Sequence, residues 1–189
     1  MAKIGLNNFY FGELHEGTTN TYGPATSPGK AVSCSVEVTR NDAMLYADDV
    51  LQESDQSFQS GTVTLGIDRD DLATQAALLG HTYTAADGIV RSADDAAPYV
   101  GLARIVTMMV SGVRSYKVEF LNKVKFSEPG QDDSTKGESL EFNTVEIEGT
   151  ISALANGNWS SAKVFTDKDD AVEYITETLL GTYTAPGTP

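Results

Sequence analysis

Three stretches of the chain carry residue types that could do chemistry. The run Gly23-Pro-Ala-Thr-Ser-Pro-Gly29-Lys30 has glycines and a lysine near the spacing of a phosphate-binding loop. It carries one residue too many between the glycines, and Ala31 stands where a Ser or Thr hydroxyl would meet magnesium. A strand pattern follows, where that motif needs a helix N-terminus to hold the phosphate. The run Asp132-Asp133-Ser134-Thr135-Lys136-Gly137 resembles the opening of a calcium loop. Lys136 occupies a ligand position there, and Asn143 stands where a bidentate Glu belongs, so a solvated turn is expected. Asp68, Asp70 and Asp71 form a third acidic group, which helix capping explains without a metal.

Nucleophilic chemistry has equally little to work with. His15 and His81 are the two histidines, and no spacing pairs either with a nucleophile or a second ligand. No Gly-x-Ser-x-Gly elbow is present. Cys34, the single cysteine, falls in the apolar row of a strand and is expected to be a core thiol. One cysteine excludes an internal disulfide and a multi-thiolate zinc site. Asn158-Trp159-Ser160 is a glycosylation sequon that a cytosolic chain would not use. The expectation is a protein with no catalytic residues, no cofactor and no metal.

The elements around these residues read mainly as strands. In residues 30–39, Val32, Cys34, Val36 and Val38 alternate with Ser33, Ser35, Glu37 and Thr39, the pattern of a half-buried strand with a wet face. Val63, Leu65 and Ile67 repeat it. Tyr116, Val118, Phe120, Val124 and Phe126 form a long alternating row, joined to the preceding apolar stretch by Ser111-Gly112, which reads as a hairpin turn. Two rows change parity, Ile4 and Leu6 to Phe9 and Phe11 across Asn7-Asn8, and Leu140 and Phe142 to Val145, Ile147 and Ile151. A strand that switches faces needs a bulge or bend, which lets a sheet curl.

Two short helices interrupt the strands. Asp70 or Asp71 caps the first, with Leu72, Ala76 and Leu79 on one face and Gly80 to stop it. The second covers about 167–180. Its start near Thr166 places Asp169 at capping-box distance, and Ala171, Ile175 and Leu179 follow at helical spacing before Gly181. Each has a single apolar stripe and is expected to pack on a sheet.

Residues 40–60 stand out between two clean strands. They hold five acids against one base, together with Met44, Leu45, Tyr46, Val50, Leu51 and Phe58. They read either as a strand pair with a polar tip or as a projecting arm that becomes ordered against a partner. On the second reading Leu45, Tyr46, Val50 and Phe58 are the contact residues.

Composition bounds the partners. The 189 residues are 40% hydrophobic, enough for one domain with a real core, taken as residues 1–189. Formal net charge is -14, from 27 acidic and 13 basic residues, and the pI is about 4.3. Such a chain repels nucleic-acid phosphates. The opening residues carry no long apolar run, so no leader is expected, and the most apolar stretch, Tyr99 to Val110, carries Arg104 and is too short to span a bilayer.

Several motifs together carry a resemblance. Ala2-Lys-Ile-Gly-Leu-Asn-Asn8, Phe58-Gln-Ser-Gly-Thr-Val-Thr-Leu-Gly-Ile67, Leu72 through Gly80-His81, Val124-Lys-Phe-Ser-Glu-Pro129, Thr135-Lys-Gly-Glu-Ser139 and Glu146-Ile-Glu-Gly-Thr-Ile151 resemble the major tail proteins of siphophages over nearly the whole chain. Gly101-Leu-Ala-Arg104 departs from the aromatic-rich version of that family. The resemblance implies a mainly β, sandwich or barrel-like tail tube fold with two short flanking helices and a long inter-strand arm. It implies a structural subunit whose rings, typically six-membered, stack into a tube in the virion tail after synthesis in the host cytoplasm. Tape-measure and terminator proteins would be its other partners, and DNA would pass through the lumen without specific binding. The tube protein of type six secretion systems is similar to this family. Other phage structural roles, a tail terminator or a capsid decoration protein, stand beside it. So do a carbohydrate-binding β-sandwich, for which Trp159 is the lone tryptophan, and a small carboxylate hydrolase.

Overall fold

In the computed structural model, the residues described are 2–17, 19–47, 50–68, 71–110, 112–130 and 144–181. They are mainly strand. In chain order they form β1 (Ala2–His15), β2 (Thr21–Tyr22), β3 (Ala31–Arg40), β4 (Ala43–Ala47), β5 (Val50–Asp55), β6 (Phe58–Ile67), α1 (Leu72–Leu79), β7 (Thr82–Thr84) and β8 (Gly88–Val90). There follow β9 (Tyr99–Val110), β10 (Val113–Phe126), β11 (Val145–Ile151), β12 (Ser160–Phe165), α2 (Lys168–Glu173) and a π-helical segment, Tyr174–Leu179. The main sheet runs β2-β1-β9-β10-β11-β6-β3, with β12 on a second branch from β10. Its ladders are all antiparallel.

The centre of the sheet is the β9–β10 hairpin. Val110 pairs with Val113 across Ser111-Gly112, as the turn signal predicts, and Gly112 takes the positive φ of 83° that a two-residue hairpin turn needs. β1 then pairs with β9 along almost its whole length, from Ala2 opposite Met109 to Glu13 opposite Val100. The predicted change of face falls at a register shift between Asn7 and Phe9, which turns Phe9 and Phe11 inward. Leu140 and Phe142, the other half of the second parity change, lie outside the described residues.

Two apolar cores flank the sheet. The larger contains Phe9, Phe11, Val63, Leu65, Leu102, Leu121, Val124, Phe126, Ile147 and Ile151, capped by Leu78 and Leu79 of α1. It therefore lies between the β1-β9-β10 half and the β11-β6 half of one curled sheet. The smaller lies on the opposite face of β9 and β10, where Ala103, Ile105, Val118 and Phe120 meet Ala171, Ile175 and Leu180. Each fully buried aliphatic or aromatic side chain contributes about 1.5–3 kcal/mol.

β10 serves both cores. Val118 and Phe120 face the C-terminal helix, whereas Val124 and Phe126 face the larger core. All four have even numbers. A register shift between Leu121 and Val124 inserts one residue, which rotates the strand by one face while the parity is preserved. The even row thus belongs to two layers and not to the single face expected.

Both helices form where the capping residues place them. Asp71 caps α1, its carboxylate accepting from the Thr74 amide (3.3 Å) and the Thr74 hydroxyl (2.6 Å), and Gly80 closes it at φ 76°. The buried stripe carries Leu78, while Leu72 is exposed. In α2 the cap is Asp167, which accepts from the Asp169 amide at 2.7 Å, and not Thr166. Beyond Glu173 the helix widens to π geometry, and the Leu180 amide bonds back to the Ile175 carbonyl at 2.8 Å. The extra residue per turn buries Leu180 in place of the expected Leu179.

Candidate functional site

The residues singled out as contacts divide between two places. Among the described residues β4 and β5 pair only with each other, as a two-stranded ladder that continues from the far end of the β3–β6 pair. Leu45 lies opposite Glu53, Tyr46 opposite Leu51 and Ala47 opposite Val50, with a register shift between Leu45 and Tyr46. The side chains of Leu45, Tyr46 and Val50 lie outside the described residues. Phe58 does not join them. It sits at the base, in β6, half-buried against the larger core and stacked on Trp159.

The junction between arm and body is held by polar contacts. The Asn41 amide donates to the Ser57 carbonyl and its side-chain amide to the Ser57 hydroxyl, both at 2.9 Å. Arg40 Nη1 donates to the Gln56 carbonyl at 3.2 Å, and Asp55 accepts from the Ser57 amide at 2.9 Å. The described part of residues 40–60 is therefore a β-hairpin within the single chain, the strand-pair arrangement. Met44, on β4, is 49% exposed.

Three strands of the main sheet, β2, β3 and β12, have a single partner each among the described residues. Among the described residues, β3 pairs with β6 alone over its ten residues, and β12 pairs with β10 alone. β3 contains neither Lys nor Pro and exposes Val32 (51%) and Val38 (37%); an irregularity at Val32 and the exposed charges of Glu37 and Arg40 blunt this edge in part.

A charged group bridges the curled sheet from inside. Arg104 on β9 lies opposite Glu119 on β10, and its guanidinium donates to that carboxylate through Nε at 2.7 Å and also through Nη2. Nη1 reaches the Cys34 sulfur on β3 at 2.8 Å, and Lys117 pairs with the other Glu119 oxygen. Burial alone would raise the Glu119 carboxyl, but Lys117 and Arg104 hold it below its usual range. Burial pushes the Cys34 thiol up, against the pull of Arg104. The Arg104–Glu119 pair was open to inference, since counting outward from the Ser111-Gly112 turn brings the two residues together.

His81 forms a second cluster that spacing does not reveal. Its Nδ1 lies 2.7 Å from Asp95 Oδ2, and its Nε2 contacts Glu128 Oε1. Arg91 Nε lies 3.7 Å from the same Glu128 oxygen. The Asp95 bond raises the His81 pKa, burial opposes it, and Glu128 raises it further. The amide of Ser92 and the imidazole hold the Asp95 carboxyl below its ordinary value. Both ring nitrogens are engaged, so neither is free to take a proton from a nucleophile.

The motifs with chemical potential find structural places. Residues 23–30 run beside β1, the Thr26 amide bonding the Phe11 carbonyl at 2.8 Å, and no helix N-terminus follows. Asp68 accepts from the Lys30 amide at 2.7 Å. Asp132, Asp133, Lys136 and Asn143 lie outside the described residues. Among the described residues no cluster of three or more His, Cys, Asp or Glu side chains is arranged to hold a metal ion. An open groove of about 400 Å³ lies between β2, β12 and the π-helical segment, lined by Asn20, Tyr22, Asn122, Ser161, Glu177 and Leu180 among others. Burial pushes the Tyr22 phenol up to about 12, and its hydroxyl donates to the Asn122 carbonyl at 2.9 Å.

No protein-family model matches the chain, and no curated protein matches it.

Proposed function

We propose that the chain is a structural subunit that assembles with copies of itself into stacked rings, the tube of a long-tailed phage. The observation that carries this reading is the β4–β5 hairpin, which continues the β3–β6 ladder and pairs with nothing else among the described residues. A hairpin of this kind has its backbone satisfied along one side only and needs a neighbour to complete it. The side of β3 that no described strand pairs with, where Val32 and Val38 are exposed, suits lateral pairing between subunits in a closed ring. A net charge of -14 suits a conduit to which DNA does not adhere. The motif resemblance selects the phage tail among such assemblies. In this role Leu45, Tyr46 and Val50 are stacking contacts, whereas Phe58 anchors the arm to its own body.

Negative-stain microscopy of the concentrated protein tests the reading. Open-ended tubes are expected. A variant with residues 42–56 replaced by a short turn is expected to stay folded and to form no tubes. Tubes from that variant would sink the stacking role. Single closed rings that never stack would favour a terminator, and no assembly at any concentration would remove the self-associating reading.

A further inference from the structure

The β7–β8 hairpin is tied to the body at both of its ends by one carboxylate. Thr82 pairs with Val90 and Thr84 with Gly88, and neither strand pairs elsewhere among the described residues. His81 immediately precedes β7 and Arg91 immediately follows β8. Both reach Glu128, which lies just beyond β10. Arg91 also donates to Gln75 Oε1 of α1 at 3.2 Å, and Asp95, from the segment leading into β9, takes the other side of the imidazole. Asp95, Glu128 and Arg91 are the described charged groups that meet this cluster.

Proton counting makes the arrangement conditional. A carboxylate only accepts, and a neutral imidazole has one N–H to give. Two carboxylates on opposite ring nitrogens are both satisfied only when the ring carries two protons. When it loses one, a nitrogen lone pair faces a carboxylate lone pair, and one contact must open. Asp95 has a further bond from the Ser92 amide at 2.8 Å. Besides the imidazole, Glu128 has among the described residues only the longer Arg91 contact at 3.7 Å, and its side chain is 50% exposed where that of Asp95 is 18% exposed. Glu128 is the one that leaves.

We propose that Glu128, His81 and Arg91 form a pH-sensitive clasp on the β7–β8 hairpin, closed while the imidazole is doubly protonated and open once it is neutral. The direction follows from linkage. The imidazole gains partners on folding, so its stabilisation is complete below the ordinary histidine value of 6.5 and is lost as pH rises through the higher folded value. Asp95 sets the acid side. Its stabilisation is present above the ordinary value of 3.8 and fades as pH falls through the lower folded one.

Nitrogen-15 spectra of the His81 ring, with His15→Gln to assign it, read the protonation state directly. Amide-exchange protection factors of residues 82–90, corrected for intrinsic rates, read the hairpin. The ring is expected to lose its second proton above the ordinary histidine value of 6.5. As it titrates, protection across the hairpin should fall about tenfold or more relative to β9. Glu128→Gln supplies the decisive contrast. The introduced amide can donate to a neutral Nε2 while Nδ1–H still donates to Asp95, so the hairpin should keep its protection through the same pH range. A ring that titrates at or below 6.5, wild-type protection unchanged through the titration, or the same loss in Glu128→Gln would each overturn the clasp.

Discussion

The Phe58 ring lies flat on the Trp159 indole, with centroids 4.8 Å apart and planes 3° from parallel. One residue opens β6, where the arm returns to the sheet. The other stands just before β12. The stack therefore fastens the base of the arm to the body, and Phe58→Ala should cost about 2–3 kcal/mol, short of a full core deletion because both rings are only partly buried. Trp159 is the only tryptophan, so its emission should shift to the red in the variant. Unchanged emission and stability would deny the contact.

Arg104 and Glu119 should behave as a coupled pair. Arg104→Met alone leaves Glu119 enclosed with only Lys117, and Glu119→Gln alone leaves the guanidinium unmatched. Each should cost about 2–4 kcal/mol in chemical denaturation, and the double variant should recover part of that loss. Because the Glu119 carboxyl is held low, its stabilisation is present above the ordinary glutamate value of 4.5 and is lost as pH falls through the folded one. Glu119→Gln should flatten that acid limb.

Gly101 should tolerate no side chain. A Cβ there would lie 2.6 Å from both the Phe120 and Tyr22 rings. Those rings meet edge to face at 5.1 Å, and the Tyr22 hydroxyl is tied to the Asn122 carbonyl, so neither moves aside freely. Gly101→Ala should cost about 1–3 kcal/mol by overpacking. Thermal unfolding measures it, with Gly112→Asn as a control that meets open space at a positive φ.

Cys34 should be a slow thiol. Burial raises its pKa, and its sulfur already receives the Arg104 guanidinium. Alkylation of the native protein near neutral pH should be about tenfold or more slower than in denaturant. Equal rates would mean that the strand edge opens readily.

Local patterns made much of this architecture legible. The face change at Asn7-Asn8 and the Ser111-Gly112 hairpin both stand where backbone rules put them. Features that depend on a one-residue insertion did not announce themselves. The even row from Val118 to Phe126 looks continuous because the extra residue after Leu121 rotates the strand without changing parity. Leu180 replaces Leu179 for the related reason that the helix widens in its last turn. The His81 cluster unites residues 14 and 47 positions away along the chain, and no local pattern constrains such a meeting.

The pairing of β1 with β9 has a consequence for the newborn chain. Ala2 meets Met109, and Asn7 donates to Thr107 across 100 positions. At ribosomal speeds of roughly 5–20 residues per second, β1 waits several seconds before its partner has been synthesised. During that interval Phe9 and Phe11, both buried in the finished protein, have no native cover. Folding dominated by such distant contacts is slow. The chain is thus open to chaperones, or to premature encounters with sister chains, until the β9–β10 hairpin emerges.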